Sequence, residues 1–425
     1  MNIAGMSLLH GMLVPAIEVV TGTVMVAAVR WRQPGRSMRW LLFGLVAGTG
    51  TAVVVYWMLA RQGLLPGDAP RSLWVWITLT VLAVVLLVTG WTRFGWGRRT
   101  GAVLATLLAV LCIGLSVNQW SGFYPSTGRA WQGLTGQPLS NEASLRSLVE
   151  LRNIPEPNGK IIPIRVQNST SRFHHRTEYV YLPPAWFAGP TPPQLPALIL
   201  IGGVITTPED WVRSGGAVAA VQDFAATHHG QAPILVFVDP TGGLSNDTEC
   251  VDGPHGNVDT HITKEVRPYV ISAFGAAPDP ARWAVAGWSM GGTCAVDLTV
   301  EHSDLFHTFV DISGDQGPNI GDRNQTVADL YGGHADQWAR FDPATAMAGH
   351  GRYDNVAGWF QAEGHRTVGH RLTSPQIRAA TALNTVAQAN NIATVFLQQP
   401  GRHTWPFAAN AFRQSLPWLN SRLCN

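Results

Sequence analysis

The chain has 425 residues, a formal net charge of +2, 46% hydrophobic residues and only 13% charged residues. The charged share is about half the ~25% expected of a soluble globular protein. A disordered chain, a coiled coil or a nucleic-acid coat is excluded, since each needs far more charge. The near-neutral balance also joins two unlike parts. Residues 1–120 carry nine Arg against two acids, Glu18 and Asp68, whereas residues 121–425 carry an excess of acids.

Four apolar stretches fill the first part: His10–Val29, Trp40–Ala60, Leu73–Trp91 and Gly101–Val117. Each is near the ~20 residues that a bilayer-spanning helix needs. A four-helix transmembrane anchor over residues 1–120 is expected. Arg30, Arg32, Arg36 and Arg39 fill the first loop, and Arg93, Arg98 and Arg99 the third. The loop between them offsets Arg61 and Arg71 with Asp68. The positive-inside rule puts the first and third loops in the cytoplasm and everything after residue 120 outside. His10 and Glu18 fall in the first span, where a helix-packing role is expected. Trp31, Trp40, Trp57, Trp74, Trp76, Trp91 and Trp120 stand at span ends, as interfacial belts require.

Residues 121–160 are mixed in character and read as a linker. From 161 to 425, short β-branched runs alternate with helical stretches. Strands are expected at Ile161–Val166, Glu178–Leu182, Ala197–Ile201, Ile234–Val238, Arg282–Ala286, Thr308–Ile312, Val356–Gln361 and Thr394–Leu397. Helices are expected near Gly215–His228, Val258–Phe274, Met290–His302, Pro375–Asn390 and Phe407–Asn420. The pattern defines an α/β class with a mostly parallel eight-stranded sheet covered on both faces. Ligand sites in such sheets lie beyond the strands' C-terminal ends.

Gly287-Trp288-Ser289-Met290-Gly291 is a G-x-S-x-G motif between an apolar strand and a helix. That context is what a nucleophile elbow requires. A Ser hydroxyl needs a base, and the base an orienting acid, in the chain order Ser, acid, His. His403 lies just beyond the last strand and just before the last helix. Residues 364–425 contain no Asp or Glu, which leaves Glu363 as the acid of choice and Asp315 as its rival. An oxyanion hole needs two backbone N–H groups. Met290 and Val204, the latter in the Gly202-Gly203-Val204 turn, are the candidates.

These residues resemble the esterase D-type family, relatives of S-formylglutathione hydrolases and mycobacterial mycolyltransferases. The matching pieces are Leu195-Pro196-Ala197 running into Gly202-Gly203, then Pro208-Glu209-Asp210-Trp211 and Phe237-Val238-Asp239-Pro240. The elbow at 287–292 and Gly401-Arg402-His403-Thr404-Trp405-Pro406 complete them. The resemblance covers roughly the catalytic part, 161–425. It implies an α/β-hydrolase fold and ester hydrolysis or acyl transfer without a metal or other cofactor. The multispan layout resembles actinobacterial membrane-tethered esterases, some acting on aminoacyl lipids.

Cys250 and Cys294 lie in the outer part, where disulfides are permitted. They either pair near the elbow or stand as thiols. His255, Asp259 and His261 lack a zinc spacing, so no metal is expected. The expected function is a membrane-anchored, extracytoplasmic serine esterase acting on an ester of an envelope lipid or the cell wall, with no nucleic-acid partner. Acyl transfer to an envelope acceptor and a non-catalytic scaffold are the alternatives. Residues 316–350 are expected to hold the lid.

Overall fold

The computed structural model describes residues 5–28, 34–61, 69–91, 95–244, 246–366 and 371–424. Arg30, Trp31, Arg32, Asp68, Arg93 and His370, and the side chains of Arg36 and Arg61, lie outside the described residues. The chain divides into two compact units, Met1–Gly136 and Gln137–Asn425.

The first unit is helical: α1 (Leu13–Ala28), α2 (Pro34–Arg61), α3 (Arg71–Gly90) and α4 (Trp96–Ser121), then a short helix at Thr127–Leu134. The sequence predicts four spans. Among the described residues three helical stretches are long and apolar enough to cross a membrane: Met38–Ala60, Arg71–Gly90 and Trp96–Ser121. Helix α1 has 16 residues. At ~1.5 Å per residue it reaches about 24 Å, short of a ~30 Å hydrocarbon core. His10 precedes that helix rather than lying inside a span. Its amide donates to Ser7 Oγ at 3.0 Å. Glu18 accepts a hydrogen bond from Trp76 Nε1 at 2.9 Å, tying α1 to α3. Trp76 is therefore buried between helices rather than sitting in an interfacial belt. Large apolar side chains such as Val46, Val53, Val54 and Leu107 face outward, as contact with lipid tails requires.

The second unit is built on a nine-stranded sheet. Its strands are β1 (Lys160–Ile164), β2 (Glu178–Leu182), β3 (Ala197–Ile201), β4 (Ile234–Phe237), β7 (Trp283–Trp288), β8 (Thr308–Ile312), β9 (Ala357–Arg366), β10 (Leu372–Thr373) and β11 (Ala393–Pro400); β5 (Asp252–Gly253) and β6 (Gly256–Asn257) form a separate two-stranded ribbon. The order is β1-β2-β4-β3-β7-β8-β9, with β10 and β11 both paired to β9. Strands β3, β4, β7, β8, β9 and β11 run parallel, while β1, β2 and β10 pair antiparallel. Strands β3, β4, β7 and β8 are buried at every position, which is why they read as unbroken apolar or β-branched runs. This order, with a helix after most parallel strands, is the α/β-hydrolase fold. Residues 137–159 belong to this unit. The Ala143 amide donates to Ile161 O at 2.8 Å, and the Ile161 amide to Asn141 O at 3.0 Å, so part of that stretch lies along the β1 edge.

Several boundaries differ from the sequence reading, two of them near the site: β7 runs Trp283–Trp288 and β11 runs Ala393–Pro400. Strand β9 runs to Arg366, and so includes Glu363 instead of ending before it. Residues 316–350 hold three helices, Arg323–Tyr331, Ala335–Phe341 and Pro343–His350. The stretch Val258–Phe274 is helical throughout but passes through a π segment at His261–Val266.

Several acids are buried in this unit. Burial lifts Asp311 to about 7, Asp210 and Asp247 to about 6, and Glu249 and Asp297 well above the usual carboxylate range. Asp239 and Glu265 go the other way: against their burial, hydrogen bonds, from Arg176 for Asp239 and from His261 for Glu265, hold them low. The raised acids keep a proton in the folded state at pH values where the unfolded chain has lost it. Stability therefore falls as pH rises from about 4 to about 7. A thermal melt of the full chain is expected to show a lower Tm at pH 7.5 than at pH 5. Asp311→Asn keeps the acceptor for the Gly314 amide and should flatten that fall. A Tm that rises across the window would contradict this account.

Candidate active site

Strand β7 delivers the chain to Ser289, whose backbone sits at φ 59° and ψ −127°. A side-chain-bearing residue reaches that conformation only when its surroundings hold it there. The Ser289 amide donates to Ile312 O at 2.9 Å, and its carbonyl accepts from the Gly292 amide at 2.8 Å. A Cβ at Gly287 would collide with the Gly291 backbone, and one at Gly291 with the backbone of Ile201 and Gly202. Those two glycines let the turn fold this tightly. Helix Met290–Glu301 starts at once, so Met290 is its first residue. Amides of a first turn lack intrahelical acceptors and carry the positive end of the helix dipole.

The turn after β3 comes alongside. A Cβ position on Gly203 lies 3.4 Å from Ser289 Cβ and 3.8 Å from its Oγ. The next residue is Val204, which packs against the main core.

The loop between β11 and the final helix, Trp405–Leu423, carries His403. Its Nδ1 lies 2.9 Å from Glu363 Oε1. Strands β9 and β11 are parallel and in register, with Glu363 opposite Gln399, and the Gly401 amide donates to Gly364 O at 3.1 Å. This pairing brings the acid and the His loop to one place. Glu363 is 5% exposed in its side chain and His403 16%, so the pair is shielded from water yet reachable. The Ser313 hydroxyl donates to Glu363 Oε2, and the Ser374 hydroxyl donates to the Glu363 carbonyl at 2.6 Å. The sequence reading did not single out either serine. Ser313 could have been found, since Ser313-Gly314 directly follows β8 at the edge where the site lies.

The His403 ring lies 5.1 Å from Trp288, which in turn packs 4.6 Å from Trp405. His403 thus stands beside the residue that precedes Ser289. Among the described residues no hydrogen bond joins Ser289 to His403, and such bonds are often long before substrate binds. The rival acid, Asp315, points elsewhere. Its amide donates to Thr293 Oγ1 at 2.9 Å, and its carboxylate accepts from Asn319 at 3.3 Å.

Cys250 and Cys294 are joined as a disulfide with Cα atoms 5.6 Å apart. It ties the loop after β4 to the elbow helix. Cys112 and Cys424 are free thiols.

The residues weighed as metal ligands in sequence are dispersed. Asp259 pairs with His302 at 2.6 Å, His255 faces the Asp247 carbonyl, and His261 lies 2.8 Å from Glu265. A different group, His175, Glu178 and His261, has its ligand atoms within 4.8 Å of one another. Its ring nitrogens already face acceptors. Those of His175 lie 2.8 and 2.9 Å from the Arg176 and Val166 carbonyls, and those of His261 lie 2.8 and 3.2 Å from Glu265 and Glu178. The two rings stack 4.5 Å apart. The three side chains form a buried hydrogen-bonded cluster.

A strained serine at a strand-to-helix elbow on a largely parallel sheet places the chain among the α/β-hydrolases. Residues 169–418 match the family model described as "Putative esterase", and the chain belongs to that family. It is accordingly a serine hydrolase acting on carboxylic esters. An uncharacterised protein of Corynebacterium glutamicum is 27% identical over 402 residues, covering 91% of each chain. A ferulic acid esterase has a similar fold, with a TM-score of 0.50 and 19% identity, over 62% of this chain and 98% of that one. An S-formylglutathione hydrolase from Agrobacterium tumefaciens is equally similar, with a TM-score of 0.50 and 15% identity, over 63% of this chain and 97% of its own.

Proposed function

We propose that this protein is a membrane-anchored serine esterase whose catalytic unit faces outward and cleaves an ester of an envelope lipid, such as an aminoacyl phospholipid. The observation that carries the reading is the His403–Glu363 pair standing beside the Ser289 elbow. Ser289 Oγ attacks the ester carbonyl while His403 Nε2 takes its proton. The Met290 and Val204 amides receive the oxyanion. Collapse of the tetrahedral intermediate expels the alcohol, which leaves with the proton from His403. Water, deprotonated by His403, then attacks the acyl-enzyme and releases the acid. Glu363 holds the imidazole and offsets its charge while it is protonated.

Two features support the outward orientation. The arginine-rich first and third loops belong inside by the positive-inside rule, and the Cys250–Cys294 disulfide suits an oxidising compartment. The Leu8 amide donates to Pro125 O at 3.1 Å, so the segment before α1 meets the segment after α4. That supports a reading in which both segments lie on the same, outer side of the membrane.

The test is incubation of the full chain in detergent with a panel of envelope lipid esters, aminoacylated phosphatidylglycerols included. Release of the free acid or amino acid is expected. Movement of the acyl group to an acceptor alcohol without release would replace hydrolysis by transfer. No turnover of any lipid ester, with short p-nitrophenyl esters still cleaved, would overturn the lipid assignment. Cysteine-accessibility mapping that places residues 137–425 in the cytoplasm would overturn the orientation.

A further inference from the structure

We propose that Arg176 is a positioning residue for catalysis: it fixes the direction in which the Val204 amide points. The inference rests on the oxyanion reading of Val204 given above. Arg176 stands just ahead of β2, which pairs antiparallel with β4, Tyr179 opposite Phe237. The start of β2 therefore lies at the C-terminal end of the parallel strands, where the site is. There the guanidinium forks onto Asp239, with Nε to Oδ2 at 3.0 Å and Nη2 to Oδ1 at 2.5 Å. Asp239 is fully buried and also accepts the Arg176 amide at 2.6 Å. The same Nη2 also lies 2.7 Å from Thr241 Oγ1 and 3.0 Å from the Thr206 carbonyl, so its two N–H groups are shared among three acceptors.

Thr206 is the residue that closes the turn after β3. Its amide donates to Gly203 O at 3.1 Å, and its hydroxyl donates to the same oxygen at 2.8 Å. Two donors thus hold the Gly203 carbonyl in one direction. In a trans peptide the N–H of the next residue points the opposite way. The Val204 N–H is therefore aimed by whatever holds Thr206, and Gly203 lies against Ser289 on the other side of the turn. Arg176 anchors Thr206 from outside the turn. A lysine offers a point charge without a planar fork, so it cannot hold Asp239 in two places and the Thr206 carbonyl together.

The experiment is steady-state hydrolysis of p-nitrophenyl butyrate by the full chain in detergent. Arg176→Lys and Thr206→Val are each expected to lower kcat by roughly 10- to 100-fold with KM changed less than about twofold, the pattern of a misdirected transition-state donor. The double variant should lose little more than the worse single, because both act on the one direction of the Gly203–Val204 peptide, Arg176 by holding the Thr206 carbonyl and Thr206 by holding the Gly203 carbonyl. Thr206→Val leaves the Arg176–Asp239 pair intact and carries the test should Arg176→Lys fail to fold. Folded variants that both keep kcat within about twofold of wild type, or that raise KM with kcat unchanged, overturn the proposal. Val204→Pro removes the amide proton itself. If it keeps wild-type kcat, the oxyanion reading falls. If it is inactive and folded while the Arg176 and Thr206 variants are unaffected, the positioning role alone falls.

Discussion

Ser289→Ala is expected to abolish labelling by a fluorophosphonate probe and to cut ester hydrolysis to a small residue. The probe phosphonylates an activated serine and requires the same attack that the ester does. Without Oγ no acyl-enzyme can form. The oxyanion amides and the binding surface remain, so a residue of activity some 10³–10⁴-fold above water can persist, as in other enzymes stripped of their nucleophile. Against wild type, kcat should still fall by about 10⁴-fold or more. The variant should fold, because the Ser289 backbone bonds to Ile312, Gly292 and Thr293 do not involve the side chain. Alanine must still occupy the positive-φ turn, so a modest drop in Tm is compatible with this account. Labelling that survives in Ser289→Ala, at the wild-type rate, would remove Ser289 from the mechanism. The nucleophile would then have to be sought among the other serines of the second unit. Ser313 would be examined first, since its hydroxyl already touches Glu363.

How far the sequence showed this site differs from residue to residue. Ser289 was legible because the elbow is a local device: glycines, a preceding buried strand and a following helix all lie within about ten residues. His403 was legible because its loop falls between a β-branched run and an amphipathic final helix. Glu363 emerged from scarcity, as no acid follows it in the chain. Its place inside β9 was not legible. The run Ala362-Glu363-Gly364-His365-Arg366 has no β-branched residue. It is held extended by partners distant in sequence, β11 along Ala393–Pro400 and β10 along Leu372–Thr373. The helices in 323–350 were missed for a related reason. They are short, and much of their surface is polar, although Asp322 and Gln325 form a capping box that marks the first of them. In the first unit, apolar composition revealed the helices. It overcounted the long ones, because α1 begins three residues after His10 and spans only Leu13–Ala28. Arg176 was not legible as part of the site. Its partners Asp239 and Thr206 are far along the chain, and only the antiparallel pairing of β2 with β4 brings them to it.

Glu363→Gln tests the acid, and its effect should nearly match that of the nucleophile. Glu363 accepts from two donors, His403 Nδ1 on one oxygen and the Ser313 hydroxyl on the other. Only a carboxylate can do both without a choice of orientation. A Gln must turn its NH₂ group toward one of them. The Ser313 hydroxyl can donate to the amide oxygen, which directs the NH₂ group at His403 Nδ1. That nitrogen then becomes an acceptor, the imidazole proton moves to Nε2, and Nε2 can no longer take a proton from Ser289. The wrong tautomer in an otherwise intact triad costs about 10⁴-fold in kcat in a serine protease. A loss of roughly 10³–10⁴-fold is expected here, with KM nearly unchanged. Adding Ser313→Ala to Glu363→Gln frees the amide to flip, so the double variant should recover part of the loss. In a background lacking the base, His403→Ala, the Glu363→Gln change should cost almost nothing, since the acid acts only through the imidazole. Asp315→Asn provides the contrast, because its carboxylate bonds Asn319 and not the imidazole. That variant should stay within about threefold of wild type, the scale of an ordinary surface change. A large loss in Asp315→Asn beside a small one in Glu363→Gln would exchange the two acids, and with them the strand, β8 in place of β9, whose end orients the base.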